Sequence, residues 1–134
     1  MQISQTNSIG FGAKFIHTDD LQRIAQYALE NGKAVELNQA RKNIDSVYLK
    51  TRIGVRLFED TNGYPGVEFT RYVPKSVVSF PKSEKDYNAY KYAYCATKKM
   101  DIFEFALKKI IKMGNGVPNN KIFKRVIVLN NLIY

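Results

Sequence analysis

From residue 47 to residue 58 the chain alternates. Val47, Leu49, Thr51, Ile53, Val55 and Leu57 point one way, and Tyr48, Lys50, Arg52, Gly54, Arg56 and Phe58 the other. That period of two is the signature of a half-buried β-strand. The turn-rich stretch "EDTNGYPG" follows, and "VEFTRYVP" (67–74) alternates again, so the pair predicts a hairpin. Upstream, the period lengthens to that of a helix. Leu21, Ile24, Ala25, Ala28 and Leu29 fall on one face, with Thr18 as N-cap, Asp19 and Asp20 in the first turn and Asn31-Gly32 as the stop. A second helix is expected over 34–45, where Leu37, Ala40, Arg41 and Ile44 recur every three or four residues.

The two ends read as short strands. Phe11, Ala13 and Phe15 alternate in "GFGAKFI" (10–16), and "KIFKRVIVLNN" (121–131) is dense in β-branched residues. "KSVVSFP" (75–81) suggests a short extended segment closed by Pro81. Ser83 and Asp86 have the spacing of a capping box, which predicts a helix entering the tyrosine-rich run that follows. Residues 101–116 form a further helix, with Phe103, Ala106, Leu107, Ile110 and Met113 inward, Glu104 one turn before Lys108, and Gly114 or Gly116 at its end. The expected architecture is one α+β domain over residues 10–134, after a loose stretch at 1–9. An antiparallel sheet of N-terminal strand, central hairpin and C-terminal strand packs against helices.

The run "DYNAYKYAYCATKK" (86–99) holds four tyrosines and three lysines in fourteen residues. On a helix, Tyr87, Tyr90 and Tyr94 gather on one stripe with Lys91 and Lys98 along its border, and Ala89, Ala93 and Ala96 lie opposite. Either stripe can be the inner one. A tyrosine stripe is most often core, with hydroxyls at the solvent edge. Turned outward beside Lys91, Lys98 and Lys99, it suits unpaired bases and phosphates, or a protein partner.

Charge favours an outward use. Residues 1–68 hold eight basic and eight acidic groups, whereas residues 69–134 hold 13 against 4, so the whole excess of +9 lies in the second half. Such asymmetry favours an anionic partner. The candidate phosphate contacts are Lys91, Lys98, Lys99, Lys108, Lys109, Lys112, Lys121, Lys124 and Arg125, with Tyr87, Tyr90 and Tyr94 as stacking candidates. Lys50, Arg52 and Arg56 share a strand face with Tyr48 and Phe58, a second basic-aromatic surface.

Several chemistries are excluded or unsupported. One cysteine, Cys95, and one histidine, His17, exclude an internal disulfide and a Cys/His zinc centre, and suggest the reducing cytoplasm and an inert, buried thiol. His17 beside Asp19 and Asp20 is a cap neighbour. No window of 18 apolar residues or secretory leader is present, so neither a membrane nor a metal or cofactor is expected. "IGFGAK" lacks the Gly-Lys-Ser/Thr ending of a phosphate loop. "GFGAKF" partly resembles the RNA-recognition-motif octapeptide: Gly10, Phe11 and Gly12 match its opening, while Ala13 and Lys14 stand where an aromatic and Val belong. The function expected is therefore non-enzymatic binding of DNA or RNA. The alternatives are an interaction or inhibitor module docking on an acidic protein surface, and a compact RNase relying on Arg52, Arg56, Arg71 and Tyr72.

Overall fold

The computed structural model describes residues 14–47, 50–76 and 78–116. In chain order they form helices α1 (Asp19–Glu30) and α2 (Ala34–Val47), strands β1 (Arg52–Glu59), β2 (Pro65–Pro74) and β3 (Tyr87–Cys95), and helix α3 (Ile102–Asn115). The three strands make an antiparallel sheet in the order β1-β2-β3, packed against the helices as an α+β domain.

Helix α1 starts where its polar residues dictate. Thr18 Oγ1 accepts from the Leu21 amide at 3.2 Å, and Asp20 accepts from the Leu57 amide at 2.9 Å, which ties the helix start to β1. Leu21, Ile24, Ala25 and Ala28 are buried, while Leu29, one position off the stripe, is 40% exposed. Gly32, at φ +69°, turns the chain into α2. That helix runs to Val47, two residues past its expected end, so the alternation of 47–58 becomes strand only from Arg52. Thr51, Ile53 and Val55 are nonetheless buried on the expected side.

The hairpin closes on Asp60, whose Oδ1 accepts from the amides of Asn62 and Tyr64, both at 2.9 Å. Beyond β1 the N-terminal segment joins the sheet at Phe15, which makes a parallel bridge to Ile53; Ile16 donates its amide to the Ile53 carbonyl at 2.9 Å. The expected first strand is described only from Lys14, and the expected strand 121–131, with Lys121, Lys124 and Arg125, lies outside the described residues, as does the 1–9 stretch.

The third strand is the tyrosine run, which corrects the helix expected there. Asp86 accepts from the amides of Lys82 and Ser83, but this cap closes only one 3-10 turn, Glu84–Asp86, and the chain then extends. Tyr90, Tyr92 and Tyr94 alternate with Ala89, Lys91 and Ala93, and the amide groups gain partners along β2 from Pro74↔Tyr87 to Gly66↔Cys95. Pairing across the sheet, together with the β preference of tyrosine, outweighs the helix preference of Ala and Lys. Where two helical stretches were expected from residue 83 to 116, the chain forms a turn, a strand and one helix. The described residues of 75–81 form no strand; Val78 and Phe80 stand 92% and 78% exposed.

Helix α3 is capped by Asp101, which accepts from the Phe103 and Glu104 amides at 2.8 and 3.1 Å. Phe105, Ala106, Leu107, Ile110, Met113 and Gly114 are buried, and Gly114 lies directly against Ala40 of α2.

Candidate functional site

Strand geometry sorts the residues of the sheet onto two faces. The inner face carries the rows Ile53–Arg71–Tyr90, Val55–Phe69–Tyr92 and Leu57–Val67–Tyr94. Tyr90, Tyr92 and Tyr94 pack against the core, Tyr94 edge-on to Phe69 with ring centroids 6.1 Å apart. Burial raises the Tyr94 pKa, with Tyr92 adding to it. The expected stripe of Tyr87, Tyr90 and Tyr94 is therefore divided: Tyr87 lies on the other face, because odd and even residues of a strand point oppositely.

Arg71 is the anomaly of the inner face. Its side chain is fully buried, 4.7 Å from the Tyr90 ring centroid and 5.9 Å from that of Tyr92. One nitrogen, Nη2, donates to the Tyr92 hydroxyl at 3.3 Å, while among the described residues Nε and Nη1 have no hydrogen-bond partner and no carboxylate pairs with the charge. Two ring faces offset only part of the desolvation of a guanidinium. Replacing Arg71 with methionine is accordingly expected to raise stability by about 1 kcal/mol or more. Arg71→Ala, which opens a cavity, should lower it by about 2 kcal/mol. Urea midpoints decide: a lower midpoint for the methionine variant refutes the account of an uncompensated charge. Arg71 also sits on the opposite side from Arg52, Arg56 and Tyr72, so the constellation suspected for an RNase is split across the sheet.

The outer face carries Arg52–Tyr72–Ala89, Gly54–Thr70–Lys91 and Arg56–Glu68–Ala93. Arg52, Arg56, Ala89, Lys91, Ala93 and Cys95 are exposed there, and among the described residues only the start of α1 borders this face. Cys95 is thus an open thiol, correcting the buried one expected of a helix. Arg56 pairs with Glu68 at 3.2 Å and lies 5.3 Å from the Phe58 ring centroid.

Two concavities lie along this face. A groove of about 470 Å³ runs over Gly54 and Thr70, bordered by Thr18, Asp19, Asp20, Arg56, Glu68, Tyr72 and Lys91. A smaller cleft of about 200 Å³ is lined by Lys14, Lys50, Thr51, Arg52, Phe80, Pro81 and Tyr87. Tyr72 of the groove and Tyr87 of the cleft touch edge to face, 6.4 Å between centroids at 84°, so the walls of the two spaces are in contact. Lys50 Nζ lies 5.0 Å from the centroid of Phe80. Burial lowers the Lys14 pKa; Asp45 opposes that shift and the neighbouring Arg52 reinforces it.

The remaining expected contacts are scattered. Lys98 and Lys99 are exposed in the turn before α3. Lys108 is paired to Glu104 at 2.8 Å, a hydrogen bond that raises its pKa. Lys109 is half-buried, 5.0 Å from the Tyr94 centroid and 5.6 Å from that of Phe105. Lys112 borders a separate groove of about 820 Å³ between the helices, floored by Tyr27, Leu107 and Ile111. Of the expected residues, Tyr87 and Lys91 alone reach the outer face among those described, where they join the Arg52 and Arg56 surface. Lys14 and Phe80 belong to the cleft without having been singled out. They come to it from distant points of the chain, through the Phe15–Ile53 bridge and the 75–86 loop.

His17 receives a hydrogen bond from the Gln22 amide group at the start of α1. Among the described residues no group of three or more His, Cys, Asp or Glu side chains comes together as a metal site, and no helix is long and apolar enough to cross a membrane. No family model matches the chain, and no curated protein or solved structure was found to be similar to it.

Proposed function

We propose that the protein binds nucleic acid, without catalysis, through the outer face of its sheet. One observation carries this reading: the outer face sets exposed Arg52 and Lys91 beside Tyr72 and Tyr87, with Lys14 and Lys50 along the same edge. Cations meet backbone phosphates and tyrosine rings meet bases, the two contacts that sequence-tolerant binding needs. Glu68 is occupied by Arg56, and Asp20 by the Leu57 amide, so part of the local acid is already engaged.

With about four phosphates neutralised, affinity for a single strand should fall with a log–log salt slope of about −3, roughly 50-fold between about 50 and 200 mM salt. Fluorescence anisotropy with labelled oligonucleotides reads this, and the double variant Arg52→Ala, Lys91→Ala should flatten the slope by about 1 to 2. Absence of binding at the lower salt ends the proposal. A second reading, docking on an acidic protein surface, is favoured by Val78 and Phe80, which stand in solvent beside Lys75, Lys82 and Lys85. It requires no affinity for the oligonucleotide.

A further inference from the structure

The cleft differs from the groove in one respect that matters for a polyanion. Groove residues include Asp19, Asp20 and Glu68, whereas the cleft is lined by three cations and no carboxylate. The carboxylate that Lys14 feels, Asp45, is engaged by Arg41 at 2.9 Å. Arg52 forms no ion pair among the described residues. Lys14, Lys50 and Arg52 therefore bring three like charges to the walls of a space of about 200 Å³, a lining that favours an anion. The same walls carry two aromatic rings, Phe80 and Tyr87, and Phe80 is 78% exposed although nothing in the core requires it there.

We infer that this cleft seats one unpaired nucleotide, its phosphate held by Lys14, Lys50 and Arg52 and its base laid against Tyr87 and Phe80. The inference rests on the nucleic-acid reading above and narrows it to single strands. A base in a duplex is stacked on its neighbours and offers only its edges to the grooves, so aromatic walls reach it only when it is unpaired. Arg52 supplies the planar, forked donor set that matches two phosphate oxygens; the two ammonium groups add point charge. From the cleft, the Tyr72–Tyr87 contact leads the strand onto the groove, where Lys91 meets the next phosphate.

The test is anisotropy at about 50 mM salt with a labelled oligonucleotide, alone and annealed to its complement, on the wild type and on Phe80→Ala, Tyr87→Ala and Tyr87→Phe. Wild type should bind the single strand at least about tenfold tighter than the duplex. Tyr87→Ala and Phe80→Ala should each weaken single-strand binding about 5- to 150-fold and leave duplex binding unchanged, and Tyr87→Phe should retain it. Phe80 is a solvent-exposed side chain, so its removal leaves the fold intact and keeps the test decisive. Equal affinity for both forms, indifferent to both alanine variants, overturns the cleft assignment while leaving phosphate binding by the outer face in place. Binding to neither form overturns both.

Discussion

Truncating Phe69 to alanine is expected to cost about 3–5 kcal/mol of stability, the largest effect of any single side chain on the sheet. Phe69 is fully buried at the centre of β2, with Val55 opposite on one side and Tyr92 on the other. Tyr94 leans on its ring from the diagonal position. Its loss opens a cavity under all three strands at once. Urea denaturation measures the cost directly, and Phe69→Leu, which keeps most of the volume, should lose less than half as much. Equal losses for the two variants would mean that the ring's shape, and not the cavity, governs this site.

Alanine at Gly114 should destabilise by about 2–3 kcal/mol, although the same change usually stabilises a helix by about 1 kcal/mol. A Cβ there would stand 2.4 Å from Ala40 Cα and 2.7 Å from the Ala40 carbonyl oxygen. These are backbone atoms of α2, so no side-chain rotation relieves the clash and the helices must separate. Asn43, which donates to the Gly114 carbonyl at 3.2 Å, would lose its partner as they do. A midpoint equal to or above that of the wild type would mean that α2 and α3 do not pack this closely in solution.

These two positions mark what a reading of the chain alone reaches. Phe69 sits in a run whose alternation names it as core, and the hairpin, α1 with its Thr18 cap, and the α3 face were all legible from period and punctuation. Gly114 was read only as a stop signal; that it is a point of contact depends on α2, more than seventy residues away. The tyrosine run failed for a related reason. Ser83, Asp86 and the alanines at 89, 93 and 96 are locally consistent with a helix, and only the free edge of β2 makes extension the better outcome. The alternation of Tyr90, Tyr92 and Tyr94 was the available signal. It would have turned Tyr90 and Tyr94 inward and left Lys91 outward.

The candidate site was half legible for the same physical reason. Arg52, Arg56 and Lys50 stood out because they share one strand's polar side. Lys14, Phe80 and Tyr87 come to the cleft from three separate segments. No periodicity relates them; a parallel bridge at Phe15 and the Lys75–Asp86 hydrogen bond of 2.8 Å do.

The open thiol of Cys95 gives the chain a property of practical use. It is the sole cysteine, exposed on the last residue of β3 and on the outer face. A maleimide dye would therefore attach at one position without any engineered substitution, as a reporter at the far end of the same face as the cleft. The same exposure means that, without reductant, two chains can be joined covalently thiol to thiol. Such a species would run at twice the 15.4 kDa mass of the chain and collapse to it on reduction.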